Sequence, residues 1–217
     1  MAITQARAFG PPKPPERSAL RVVDGQLRKE LDFIDRRYLL ALARMSVGHQ
    51  LATGELPQLK QWEAPSPEVA ARRACFVTIN SSGGLRGCIG SLQAHRPLMF
   101  DVIENAAMSA FHDERFPPLE MSELGHVRFS ISVLGERSPL RAEAASELLD
   151  ALEEGRHGLI VRKGACIATY LPYVWRLIPA KEDFLKNLCV KAGLDGDEWR
   201  EPARMEFFTY EAQEFSE

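Results

Sequence analysis

The chain has 217 residues, of which 45% are hydrophobic and 26% charged, so it has the composition of a globular protein and not of a disordered, collagen-like or low-complexity chain. Its 27 basic and 30 acidic residues give a net charge of -3, which argues against a nucleic-acid-binding surface. No apolar run reaches the roughly 18 residues of a membrane span, and no signal-peptide core opens the sequence, so we predict a cytoplasmic protein without membrane association.

The N-terminal residues are rich in proline. The early segment Gly-Pro-Pro-Lys-Pro-Pro disfavours both a helix and a paired strand, so we predict a flexible tail over residues 1–20. Residues 21–217 are predicted to form a single domain. This domain opens with apolar residues at spacings of three and four from Leu27 to Met45, which predict an amphipathic helix ending near Gly48 or Gly54.

A hairpin and a series of shorter elements follow. Residues 74–80 and 85–92 are predicted strands, joined by the turn-forming Ser-Ser-Gly-Gly at residues 81–84. Further along the chain the patterns predict a small-residue helix from Pro97 to Ala110, a loop over 112–119, a strand over 127–133, a helix over 144–153, a hairpin of 158–161 and 165–170, a helix over 182–192 and a strand over 205–210. Hairpins mixed with isolated helices indicate an α+β fold, an antiparallel sheet with flanking helices.

Cysteine and histidine spacing argues against disulfides and metal. The four cysteines form no CxxC pair, which indicates a reducing compartment; they are Cys75, Cys88, Cys166 and Cys189. The histidines lack the paired spacing of a metal site; they are His49, His95, His112, His126 and His157. The glycines form no nucleotide-binding fingerprint, and the sequence does not specify a cofactor.

Several short motifs follow one another along the chain. The stretch Leu85-Arg86-Gly87-Cys88-Ile89-Gly90 places an arginine, a cysteine and glycines inside a predicted strand. Downstream come Asp113-Glu114-Arg115-Phe116-Pro117-Pro118-Leu119, Ile131-Ser132-Val133-Leu134, Arg156-His157-Gly158-Leu159, Leu171-Pro172, Phe184-Leu185 and Lys191-Ala192-Gly193-Leu194. In this order the motifs resemble the AMMECR family. The resemblance covers roughly Leu31 to the C-terminus, and one departure is Tyr173, where the family pattern has a glutamine.

The resemblance implies a two-part α+β domain, a larger sheet-and-helix part and a smaller part, with the Arg-Gly-Cys-Ile-Gly strand near their junction. Prokaryotic members of the family are called system protein A of the AmmeMemoRadiSam gene cassette. Cassette membership implies functional association with a Memo-like protein and with a radical SAM protein. The family's biochemical activity is not established.

Cys88 is the first candidate for chemistry. Side chains alternate along a strand, so Arg86, Cys88 and Gly90 share one face, on which the guanidinium would favour the thiolate and Gly90 would leave room for a ligand. The structural alternative is that Cys88 is a small buried residue, that Arg86 pairs with a carboxylate and that the glycines let a helix approach.

Three residues outside the strand are further candidates. His157, on a glycine-bounded turn, is a candidate base for Cys88, and the alternative is a loop histidine hydrogen-bonded to the backbone. Arg115 is a candidate ligand for a carboxylate or phosphate. The alternative is that Arg115 pairs with Asp113 or a neighbouring carboxylate to clamp the loop, while Phe116 anchors it in the core.

These residues define two hypotheses. The first is an intracellular enzyme, or an enzyme-complex component, that acts on a small molecule or a macromolecule in a cleft. Its catalytic residues would be Cys88 and His157, and its substrate-binding residues would be Arg86, Gly87, Gly90, Asp113 and Arg115. The second is a noncatalytic binding or adaptor module that recognises a peptide or nucleic acid, with Cys88 inert.

Overall fold

A computed structural model describes residues 30–59 and 63–217 of the chain, so the predicted tail lies outside the described residues. The described residues divide into two compact units, the first formed by the residues up to Val133 together with Gln213–Glu217, the second by Leu134–Ala212. Each unit combines helices with a four-stranded sheet. The prediction of an α+β fold in two parts, one larger than the other, is confirmed.

The first unit contains one four-stranded sheet. Its elements are α1 (Phe33–Thr53), α2 (Pro67–Ala70), β1 (Cys75–Ser81), β2 (Gly84–Gly90), α3 (Leu98–Phe111), β3 (Arg128–Leu134) and, at the C-terminus, β8 (Ala212–Ser216). The strand order in the sheet is β2-β1-β3-β8. Strand β1 pairs antiparallel with both β2 and β3. The predicted first hairpin is therefore confirmed, and β2 is an edge strand.

Helix α1 has clear signals at both ends. Asp32 caps its N-terminus by accepting a hydrogen bond from the Asp35 N–H, and the Asp35 carboxylate accepts one from the Asp32 N–H. At the other end Gly54 adopts a φ of 81°, the left-handed conformation that favours glycine. Of the two predicted ends, Gly54 is the correct one, and Gly48 lies inside the helix.

One face of the first sheet forms the core of this unit. Alternate residues of β1 and β3 are fully buried: Cys75, Val77, Ile79, Phe129, Ile131 and Val133. They belong to one hydrophobic cluster with Leu39 and Leu42 of α1 and Val102 of α3. The small residues Ala106 and Ala110 of α3 are also buried, so this helix packs closely on the sheet.

The second unit also contains one four-stranded sheet. Its elements are β4 (Ser138–Leu140), α4 (Ala145–Ala151), β5 (Gly158–Lys163), β6 (Cys166–Tyr170), α5 (Lys181–Lys191) and β7 (Glu206–Tyr210). The strand order in the sheet is β4-β7-β5-β6. Trp175 and Phe184 stack within its hydrophobic core, with ring centroids 3.7 Å apart. The predicted second hairpin is present, whereas the short strands β4 and β8 were not predicted.

In the part of the chain that the structure describes, no helix combines the length and the apolar character needed to cross a membrane.

Candidate functional site

The thiol of Cys88 lies on the face of the first sheet opposite the core. Cys88 pairs with Thr78 of β1, and the Cys88 Sγ is 3.2 Å from the Thr78 Oγ1, a hydrogen-bond distance for sulfur. Cys88 is not in a disulfide and is half-buried. Its thiol is therefore held next to a hydroxyl group at a position that is partly open to solvent.

The backbone of Cys88 is held from the outer edge of β2 by two residues of the loop after α3. The Cys88 N–H donates to Asp113 Oδ2 at 2.8 Å, and Arg115 Nη2 donates to the Cys88 carbonyl oxygen at 3.3 Å. Arg115 also binds both carboxylate oxygens of Asp113, at 2.8 and 2.6 Å. The pair occupies the place of a neighbouring strand, which is the clamping role given above as the alternative for Arg115.

Asp113 is an anion throughout the physiological pH range. The hydrogen bonds from Arg115, helped by those from the Cys88 and Arg115 backbone N–H groups, outweigh burial and hold the pKa of the Asp113 carboxyl at about 2. A carboxyl with so low a pKa is a poor general acid or base near neutral pH. Asp113 is therefore suited to positioning the strand.

The guanidinium of Arg86 binds the loop that follows α3. It binds both carboxylate oxygens of Glu123, at 2.8 and 3.0 Å, and donates to the carbonyl oxygen of Pro117 at 2.8 Å. The hydrogen bonds from Arg86 lower the pKa of Glu123. The expectation that Arg86 activates the Cys88 thiolate is replaced by the alternative, pairing with a carboxylate, because a planar guanidinium matches a carboxylate and loop carbonyls better than a single sulfur atom.

The two glycines of the motif are required by different neighbours. A Cβ at Gly87 would overlap the backbone carbonyl of Ser109, so the glycine lets α3 approach β2. This is the structural role that the sequence analysis gave as the alternative for the glycines. A Cβ at Gly90 would overlap the ring of Phe76. The expectation that Gly90 leaves an empty place for a ligand is wrong, because Phe76, directly opposite on β1, fills that place with its ring.

The polar residues of α3 were missed by the sequence analysis. Asp101, Asn105 and Ser109 recur every four residues, and Asp113 continues the spacing after the helix ends, so all four lie along one side. Each bonds to β1, β2 or the residue that follows β2. The signal was available in the sequence as polar residues at a regular spacing within an otherwise apolar helix.

Asp101 is the centre of the most buried part of this row. Its carboxylate is fully buried and accepts hydrogen bonds from the Cys75 N–H at 2.9 Å, from Ser91 Oγ at 2.9 Å and from Asn105 Nδ2 at 3.0 Å. Arg96 supplies the opposing charge, with Nε 3.2 Å from Asp101 Oδ1. The network joins the start of β1 to the residue that follows β2.

The loop after α3 is anchored by Leu119. Leu119 is buried, and its N–H donates to the Ala110 carbonyl at 2.8 Å. Phe116, expected in the core, is only half-buried and lies beside the Arg115 guanidinium, 5.4 Å from ring centroid to Cζ. An aromatic ring that covers a guanidinium stays near the surface, where the cation keeps its contact with water.

His157 belongs to the second unit, whereas the other candidate residues belong to the first. Its Nδ1 accepts a hydrogen bond from the Glu153 N–H at 3.1 Å, and its carbonyl oxygen accepts one from Trp175 Nε1 at 2.7 Å. A neutral ring that accepts at Nδ1 carries its proton on Nε2. This is the backbone-bonded histidine given as the alternative, and a Cys88–His157 dyad stays a prediction.

The remaining cysteines differ in burial. Cys75 and Cys189 are buried, and burial raises the pKa of each thiol above its ordinary value. Cys166 of β6 is half-buried, as Cys88 is. Among residues 30–59 and 63–217, no group of three or more His, Cys, Asp or Glu side chains could hold a metal ion.

Two known proteins are similar to this chain over most of its length. The chain is 35% identical over 197 residues to Protein MK0488 of Methanopyrus kandleri, covering 87% of this chain and 91% of that protein. It is 36% identical over 186 residues to a protein of Methanosarcina acetivorans, covering 83% of this chain and 90% of that protein.

A solved structure and a family profile also match most of this chain. The crystal structure of the uncharacterized protein PH0010 from Pyrococcus horikoshii matches with a TM-score of 0.79 and 31% identity, covering 84% of this chain and 91% of that one. The profile of the AMMECR1 family matches residues 40–215. The chain therefore belongs to the AMMECR1 family.

Proposed function

We propose that this protein is an enzyme, or a component of an enzyme complex, that acts on a small molecule or a macromolecule at the thiol of Cys88. The observation that carries the proposal is the 3.2 Å contact between Cys88 Sγ and Thr78 Oγ1 at a half-buried position. Two further contacts, from Asp113 and Arg115, hold the backbone of Cys88. A thiol held so firmly and still partly accessible meets the geometric needs of a nucleophile.

The chemistry is substitution or addition at an electrophilic carbon. The thiol loses its proton to solvent or to the substrate, and the sulfur electron pair forms a carbon–sulfur bond. In substitution a leaving group departs with its bonding electrons; in addition the π electron pair of the attacked carbon moves to the neighbouring atom, which takes up a proton. Thr78 stabilises the sulfur anion when its hydroxyl donates to Sγ. Asp113 does not take the proton, since its low pKa keeps it ionised and its partner is Arg115.

The experiment is the pH dependence of iodoacetamide labelling at each cysteine of the folded protein, read by peptide mass spectrometry. Cys166 is the internal reference because it is half-buried as Cys88 is, and Cys75 and Cys189 should label only on unfolding. We expect Cys88 to label about tenfold faster than Cys166 near pH 7, and Thr78→Val to reduce that ratio. Protection of Cys88 until the protein unfolds would overturn the proposal.

The rival function is a noncatalytic adaptor. The ion pair between Arg86 and Glu123 favours the adaptor function, because the guanidinium expected to activate the thiol binds a carboxylate instead. A Cys88→Ser variant separates the two functions. If it folds normally and still supports the cellular role of the protein, the thiol is dispensable and the adaptor function is correct.

The proposal extends to partners and location. Association with a Memo-like protein and a radical SAM protein would place this chain in the cytoplasm as the component that binds or transfers the substrate. Co-expression of the three proteins and affinity purification through a tag on this chain test the association. Retention of either partner at physiological salt supports it, and the absence of both contradicts it.

A further inference from the structure

We infer that Lys191 keeps the outer edge of strand β6 closed to pairing with a second copy of this chain, so that loss of the Lys191 ammonium produces a strand-paired dimer. The inference concerns the second unit and is independent of the chemistry proposed at Cys88. It starts from a comparison of the strands that end the two sheets, which are β2, β8, β4 and β6.

Three of these four strands carry their own protection against a further strand. At β2, Asp113 and Arg115 bind the N–H and the carbonyl oxygen of Cys88. Strand β4 contains Pro139, which has no N–H to donate, and β8 has the exposed Glu214 at its centre. Proline and charged side chains are common means by which edge strands are kept from pairing.

Strand β6 itself contains no such residue. Its sequence, Cys166-Ile167-Ala168-Thr169-Tyr170, has no charge, no proline and no glycine, and two of its residues are β-branched. The side chain of Ile167 is 46% exposed. An uncharged edge strand with β-branched residues favours pairing with another strand, so its protection has to come from outside the strand.

Lys191, in the last turn of α5, lies at this edge. Its Nζ donates to the Thr169 carbonyl oxygen at 3.0 Å and is 5.0 Å from the centroid of the Tyr170 ring. Alternate residues of an edge strand direct their backbone groups away from the sheet. The bond from Lys191 places Thr169 in this outward set, and Ile167 belongs to the same set because it is two residues away.

Lys191 therefore opposes a further strand in two ways. It occupies a carbonyl oxygen that the incoming strand would need as an acceptor. The incoming strand would also remove water from the ammonium, which is unfavourable for a charge that gains no new partner. Both effects are absent when the side chain is neutral and shorter.

The partner that fits this edge is the β6 strand of a second copy. Antiparallel pairing about a twofold axis at Ala168 places Ile167 opposite Thr169 of the second copy, so the outward backbone groups of each strand meet those of the other. No like charges face each other in this register, because β6 has none. Since both copies use the same edge, association stops at two chains.

The experiment is sedimentation velocity of the full chain over a range of concentrations. We expect the wild type to sediment as one chain throughout, and Lys191→Gln to approach twice that mass as the protein is concentrated, because so short an interface is weak. Lys191→Met, which keeps most of the stem beside Tyr170, should behave as Lys191→Gln does. Lys191→Arg keeps a charged donor and should stay a single chain.

Two further variants identify the edge. Lys186→Gln removes the same charge from an exposed position of the same helix and should stay a single chain. Ile167→Lys adds a charge to β6 and should return Lys191→Gln to a single chain.

Several results would overturn the inference. They are a wild type that already forms the dimer, Lys191→Gln and Lys191→Met variants that remain single chains at every concentration, and a dimer that Ile167→Lys leaves intact. Equal dimerisation of Lys186→Gln, or assemblies larger than two chains, would likewise contradict pairing through β6.

Discussion

The backbone carbonyl of Ser109 lies where a side chain at Gly87 would begin, so helix α3 and strand β2 are closer than any other residue at position 87 would allow. At this short distance the hydroxyl of Ser109 bonds to two strands. It donates to the Val77 carbonyl oxygen at 2.7 Å and accepts from the Ile89 N–H at 2.8 Å, and so bridges β1 and β2. The strand that carries Cys88 is thus held by a helix on one side and by Asp113 at its edge.

Gly87→Ala should therefore destabilise the protein. The added methyl group would collide with the backbone of α3, which cannot move away without losing the Ser109 bridge, so we expect the free energy of unfolding to fall by about 1–3 kcal/mol. Urea denaturation measures it. Gly125→Ala is the matched control, because nothing lies within 4 Å of a Cβ built there. A similar small change in both variants would show that the approach of α3 is not required.

Asp101→Ala should lower the free energy of unfolding more than Gly87→Ala does. It would remove the partner of three buried or half-buried donors and of the Arg96 charge, so we expect a loss of about 3–5 kcal/mol in the free energy of unfolding. Thermal or urea unfolding measures this loss. Asp101→Asn keeps one acceptor oxygen, so its free energy of unfolding should lie between those of the wild type and Asp101→Ala. The exposed Asp150→Ala serves as the control. A loss in Asp101→Ala no larger than in Asp150→Ala would contradict the structural role of the network.

The Asp113–Arg115 pair should make stability depend on acid pH. The folded pKa of Asp113 is about 2 and its ordinary value is 3.8, so its contribution is fully present above about pH 5 and is lost as the pH falls through 2. We expect Asp113→Asn to lower the free energy of unfolding by about 1–2 kcal/mol at pH 7.

Urea unfolding of both proteins from pH 7 down to pH 2 provides the measurement for Asp113. The difference between wild type and Asp113→Asn should shrink as the pH falls below about 4. A difference that stays constant over this range would mean that the carboxylate charge is not what stabilises the loop.

The Arg86–Glu123 pair should show a measurable coupling energy. Its side chains are 12% and 33% exposed and its geometry is bidentate, so a double-mutant cycle with Arg86→Met and Glu123→Gln should give about 1 kcal/mol or more. The Arg204–Glu201 pair, with side chains 73% and 63% exposed, is the matched control and should give a coupling near zero. Equal couplings in the two cycles would refute a special role for Arg86 in holding the loop.

Local patterns in the sequence were sufficient for most of the secondary structure. The spacing of apolar residues in α1, the alternation in β3 and the turn residues between β1 and β2 each depend on neighbours only a few residues away. The short strands β4 and β8 were missed because neither shows an alternation of apolar and polar residues: β4 has three residues, one of them proline, and β8 has only two apolar residues. Pairing with distant strands defines them.

The sequence by itself also determined the family and the sharing of one face of β2 by Cys88 and Gly90, since motif order and strand alternation are properties of the chain alone. Only the tertiary structure decided the partners of that motif. Arg86 bonds to Glu123, 37 residues away, and Gly90 is covered by Phe76 through strand pairing. Such contacts depend on how separate elements pack and on which charges meet there, and no local pattern encodes either.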